Sequence, residues 1–141
     1  MSKVAVVFWT SGDHTRAMAE VVAEAARGAG AEVDVLEAES FGAGDVAQYD
    51  ALAFGCPAMG SEVLEEDVFQ PMWDEVKEVL GDKKVGLFGS YGWGGGEWMR
   101  TWVEEAQGLG LNLVKDGVAA EEYEEGAAEE ADLQELGEAL A

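Results

Sequence analysis

Val4 to Trp9 is an unbroken apolar run rich in β-branched and aromatic residues. Such a run suits a strand buried on both faces of a sheet. Ala51 to Gly55 and Val85 to Gly89 have the same character. Residues 31–37 (AEVDVLE) alternate polar with apolar, as an edge strand does. Leu111 to Val114 is a fifth strand, extending toward Val118. Helical spacing fills the gaps. Met18, Val21, Val22 and Ala25 recur at i, i+3, i+4 and i+7. Phe69, Met72, Trp73, Val76, Val79 and Leu80 mark a second helix, with Pro71 tolerable in its first turn. Trp98, Met99, Trp102, Val103 and Ala106 mark a third, and a short one lies near Asp45 to Tyr49. Leu133, Leu136 and Leu140 make the stretch 119–141 a helix with a solvated acidic face, since it holds nine acids and no bases.

Strands that alternate with helices predict an α/β fold with a parallel sheet covered on both faces. With 141 residues, no repeat and no linker, residues 1–141 read as one domain. No apolar run nears the length of a membrane span and no signal-peptide pattern opens the chain, so the expected location is cytoplasmic. One cysteine excludes a disulfide framework.

Charge narrows the partners. Eight Lys plus Arg against thirty Asp plus Glu leave a net −22. Nucleic acid and anionic membrane, which bind through phosphate neutralisation, are excluded. The charge suits a basic patch on a protein partner, with fast, salt-sensitive encounter, and equally well serves only to keep the protein soluble.

In open parallel sheets, ligands bind beyond the carboxyl ends of the strands. Three segments of unusual composition leave those ends: 10–15 (TSGDHT), 57–62 (PAMGSE) and 90–96 (SYGWGGG). The first offers hydroxyls from Thr10, Ser11 and Thr15, with Gly12 and a helix N-terminus behind it, a place for a phosphate. Ser, Thr and Asp are also ordinary helix caps, and both readings stand. The chain has no Gly-Lys pair, so this is not a Walker A loop. The third segment sets Tyr91 and Trp93 among four glycines, where a flat ring can stack on a planar ligand or fold back over the sheet end. The second joins Met59, an adaptable polarisable wall, to Gly60-Ser61, which fits the centre of a type II′ turn, and Glu62 adds an acceptor. Cys56, Trp73, Trp98 and Trp102 read as core.

With GCPAMGSEVLEE (55–66), KKVGLFGSYGWGGGEWM (83–99) and FWTSGDHTRAMAE (8–20), the chain resembles the flavodoxins, in their short-chain form from anaerobic bacteria, over its whole length. The resemblance implies a flavodoxin-like three-layer sandwich, with a five-stranded parallel sheet of order 2-1-3-4-5 and one bound FMN. By position, Thr10, Ser11, Gly12, Asp13, His14 and Thr15 would hold the phosphate. Met59 and Trp93 would flank the flavin ring, with Pro57 and Ala58 beside it. The Gly60-Ser61 peptide would turn over on reduction, and Glu62 would accept from the flavin N3–H. Ser90, Tyr91, Gly92 and Gly94 would frame the ring's pyrimidine side and the ribityl chain.

The resemblance further implies a monomeric low-potential one-electron carrier with no substrate of its own, meeting partners such as ferredoxin-linked oxidoreductases. Alternatives are a flavin reductase on the same fold, or a module with weakened FMN binding. The second is suggested by the phosphate loop. The family pattern is Thr/Ser-x-Thr-Gly-Asn-Thr, and here Gly12, Asp13 and His14 replace its Thr, Gly and Asn.

Overall fold

The computed structural model describes residues 2–10, 14–59, 62–92, 94–124 and 126–141. Six parallel strands form one sheet: β1 (Lys3–Phe8), β2 (Glu32–Glu37), β3 (Ala51–Gly55), β4 (Lys84–Tyr91), β5 (Asn112–Leu113) and β6 (Val118–Glu121). The spatial order is β2-β1-β3-β4-β5, with β6 also on β4. Four helices, α1 (His14–Gly28), α2 (Phe69–Val76), α3 (Glu97–Gly108) and α4 (Glu130–Leu140), cover the two faces.

Side-chain alternation along the strands sorts the core into two layers. Val4, Val6 and Phe8 join Ala51 and Ala53 against Met18, Val22 and Ala26 of α1 and Leu133, Leu136 and Leu140 of α4. Ala5, Val7, Leu52, Phe54, Val85 and Leu87 face α2 and α3. There Trp73 and Trp102 meet edge-on at 5.6 Å between ring centres, and Phe69 meets Trp102 at 5.5 Å. The tryptophans read as core are core. β2 is the edge strand its alternation predicts, with Val33 buried and Glu32, Val35 and Glu37 exposed.

Five expectations need correction. The fifth sheet position holds two short segments. β5 pairs with the start of β4 (Lys84↔Asn112) and β6 with its end (Phe88↔Val118 to Tyr91↔Glu121). Between them Lys115 turns to Asp132 and Glu135 of α4. The 119–141 stretch is helical only over Glu130–Leu140, because Val118 and Ala120 alternate inward to complete the β4 ladder. The second helix gives way to a 3₁₀ turn at Lys77–Val79. Finally, β4 runs on to Tyr91, so Ser90 and Tyr91 are strand residues, not loop. The short helix near Asp45 is a 3₁₀ turn over Ala43–Gln48. Among the described residues no helix is long and apolar enough to cross a membrane.

Candidate functional site

A pocket of about 330 Å³ opens at the carboxyl ends of β1, β3 and β4. Its size falls in the lower part of the ~300–1,000 Å³ range of small-molecule clefts. Thr10, His14 and Thr15 line it from the start of α1, and Pro57, Ala58 and Met59 from beyond β3. Ser90, Tyr91 and Gly92 come from the end of β4, and Glu122 from the turn after β6. Nine of the residues singled out in the sequence thus come together. Ser11, Gly12, Asp13, Gly60, Ser61 and Trp93 lie outside the described residues, and with them the proposed turn and one ring wall.

Two buried hydroxyls give the pocket its chemistry. Thr15 Oγ1 accepts from the Ser90 backbone N–H at 3.4 Å, and Ser90 Oγ accepts from the Tyr123 N–H at 3.3 Å. Thr15 is 1 % exposed and Ser90 4 %. With their oxygens occupied by backbone donors, each hydroxyl keeps its proton to give, and a buried donor left unmatched is costly. An anion with several acceptor oxygens at the N-terminus of α1 suits both. His14 Nδ1 lies 2.6 Å from the Tyr123 carbonyl oxygen. At the other side the walls are apolar: Met59, Ala58 and the half-buried Tyr91, whose ring leans on Trp98 at 5.5 Å. The arrangement fits a planar ring on one side and a phosphate on the other.

Glu62 and Gly94 are not among the lining residues and stand together where the loops after β3 and β4 meet. Met59 and Val63 exchange backbone hydrogen bonds of 2.9 Å in each direction. Three residues span that bridge, and the last, Glu62, has φ 57°. Its carboxylate accepts from the Glu97 N–H at 3.0 Å, at the head of α3. Gly94 has φ 76°, and a Cβ there would come within 2.5 Å of the Glu62 carboxyl carbon. The loop after β3 is thereby tied to the loop after β4.

Glu65 anchors that loop from below. Its carboxylate accepts from the N–H groups of Asp67, Val68 and Phe69, each at 2.7 Å. Burial alone would push the carboxyl up, but the three donors outweigh it and hold it below its ordinary value. Beside it, burial pushes the Cys56 thiol up to about 12. Glu122, with φ 42°, is the lining residue the sequence did not disclose. Nothing in its local pattern separates it from the eight other acids nearby. Among the described residues no cluster of His, Cys, Asp and Glu is placed to hold a metal ion. A larger groove, about 910 Å³, runs between α1 and α4, but its alanines and glutamates offer a phosphate no counter-charge.

Known proteins settle the lineage. The flavodoxin family profile matches residues 6–135. The chain belongs to the flavodoxin family. The flavodoxin of Megasphaera elsdenii is 41 % identical over 138 residues, covering 98 % of each chain. That of Clostridium beijerinckii is 36 % identical over 136 residues, covering 96 % of this chain and 97 % of the relative. The solution structure of two-electron reduced M. elsdenii flavodoxin superposes with a TM-score of 0.87 at 42 % identity, covering 97 % of each chain. Flavodoxins bind FMN and are electron-transfer proteins, not enzymes. The sheet order and the place of the pocket agree with this flavodoxin assignment.

Proposed function

We propose that this flavodoxin is a low-potential one-electron carrier that holds FMN non-covalently in the pocket at the strand ends. FMN, when bound, supplies the capacity to take and release electrons one at a time. The protein's residues hold the cofactor and set its energetics. Thr10 and Thr15, with the head of α1 and the 11–13 segment, receive the phosphate, and Ser90, expected at the ring and ribityl chain, joins them because its N–H bonds Thr15. Met59 and Trp93 flank the ring, with Pro57, Ala58, Tyr91, Gly92 and Gly94 around it. The Gly60-Ser61 peptide and Glu62 meet the ring's polar edge. The observation that carries the reading is the pair of buried hydroxyls, Thr15 and Ser90, that keep protons to donate at the N-terminus of α1.

The charge of the chain supports a low potential. Each like charge at ~10 Å in an effective dielectric of ~40 costs an anionic reduced cofactor roughly 0.8 kcal/mol. A tenfold change in a one-electron equilibrium is ~59 mV, so a few such carboxylates move a potential appreciably. Glu122 lines the pocket itself. The same acidity suits docking on basic patches of redox proteins such as ferredoxin-linked oxidoreductases, by a cytoplasmic, single-domain monomer.

Titration calorimetry of the flavin-stripped protein tests the assignment. FMN should bind one to one and FAD much more weakly, because the phosphate site closes on a terminal monoester. Equal affinity for FAD would contradict it.

A further inference from the structure

We propose that His14 carries one proton into the FMN complex and so makes affinity for FMN, though not for riboflavin, fall as pH rises. The proposal rests on the FMN reading above. His14 is the chain's only histidine. It is the first residue of α1 and lines the pocket beside Thr10 and Thr15. Its Nδ1 lies 2.6 Å from the carbonyl oxygen of Tyr123. A carbonyl oxygen only accepts, so Nδ1 carries the ring proton. In the neutral ring Nε2 is then an acceptor as well. The oxygens of a phosphate dianion are acceptors too. A neutral His14 and a dianion therefore cannot bond until one more proton is added, on Nε2 or on the phosphate. A complex in which His14 bonds the phosphate therefore holds one proton more than the neutral ring and the dianion hold apart.

The surroundings leave this task to His14. Among the described residues lining the pocket it is the one side chain able to carry positive charge, and Glu122 is the one carboxylate. From β4 the facing titratable group is the Tyr91 phenol; the segment beyond β3 presents Pro57, Ala58 and Met59, which do not titrate. On α1 itself, Arg16 is turned to Glu37 at 3.5 Å and to the Phe8 ring. Asp13 precedes His14 in the chain, and Glu124 follows its carbonyl partner. An asparagine in this position would donate an N–H at any pH, so the His-for-Asn exchange adds the proton dependence.

The experiment measures dissociation constants of FMN and riboflavin from the flavin-stripped full chain between pH 6 and 8.5. Free imidazole and a phosphomonoester titrate near ~6.5 and ~6. Above both, the FMN constant should weaken by as much as about tenfold per pH unit, the limit for one proton taken up. Riboflavin, which lacks the phosphate, should stay flat. His14→Asn should remove the slope for FMN. Calorimetry in buffers of different protonation enthalpy should show up to one proton taken up with FMN and none with riboflavin. Proton NMR of the single imidazole should show it protonated to higher pH in the FMN complex than in the riboflavin complex. A slope kept in His14→Asn, a slope shared by riboflavin, or a flat parent overturns the proposal while leaving FMN binding intact. Failure of the parent to bind either flavin overturns the cofactor reading and the proposal with it.

Discussion

The Glu62 carboxylate accepts a hydrogen bond from the Glu97 backbone N–H at 3.0 Å. It joins the two loops that flank the pocket, and does so where a helix lacks a cap of its own. The residue before α3 is Gly96, with φ 81° and no side chain to offer. A carboxylate there satisfies one orphan N–H and complements the helix dipole. Glu62→Ala should destabilise the flavin-stripped protein by about 1 kcal/mol, a usual cost for a lost cap. Glu62→Gln, which keeps an accepting oxygen, should lose less. Urea unfolding of the three proteins reads the difference, and equal midpoints for Ala and parent would show that the bond contributes nothing.

Glu65 should matter more. Its carboxylate serves three backbone donors at 2.7 Å and is 6 % exposed. Charged hydrogen bonds are worth more than neutral ones, so Glu65→Ala should cost about 2–3 kcal/mol. The sign with pH follows from the depressed carboxyl. Its contribution is fully present above the ordinary value of 4.5 and is lost as pH falls through the lower folded value. The stability gap between parent and Glu65→Gln should therefore be widest near neutrality and narrow in acid. A gap that widens in acid would contradict the assignment.

Gly137 lets α4 lie against α1. A Cβ there would overlap the Val22 carbonyl oxygen and sit 2.8 Å from Ala25 Cβ. Alanine is favoured over glycine inside a helix by about 1 kcal/mol. Overpacking a tight contact costs about 1–3 kcal/mol, and here the obstacle includes main chain that cannot rotate away. The collision should win. Gly137→Ala is expected to lower the thermal midpoint, and a raised midpoint would mean the helices can separate freely.

Cys56 is fully buried, and its Sγ accepts from the Glu65 N–H at 3.4 Å. With its thiol pushed up to about 12 by burial, it should resist alkylation at pH 8 in the folded protein. Labelling should appear only with unfolding. Rapid modification of the native protein would show that the 55–65 region opens.

Most of the sheet is readable in the sequence, because strands buried on both faces leave apolar runs that nothing else in the chain imitates. Helices α1 to α3 announce themselves by spacing, and the tryptophans of α2 and α3 fall on the face that meets the sheet. The split fifth strand is not readable. β6 is the four residues VAAE at the edge of an acidic tract, and its strand identity comes from the open ladder of β4, some thirty positions earlier. The pocket is legible in outline, since Thr10, Met59, Ser90 and their neighbours follow three strand ends. Glu122 is not, nor is the bond from His14 to the Tyr123 carbonyl, because both depend on where a distant segment returns. Glu62 shows the converse: its place was legible, but its hold on α3 arises only when the two loops meet.

We propose that this flavodoxin carries electrons singly. An anaerobic reductive titration of the FMN-loaded protein, followed by visible absorbance against reference dyes, tests it most directly. Two resolved one-electron steps are expected, the second at low potential, with no consumption of NADH or NADPH by the protein alone. A single two-electron step, or steady turnover of a nicotinamide by the purified protein, would contradict it.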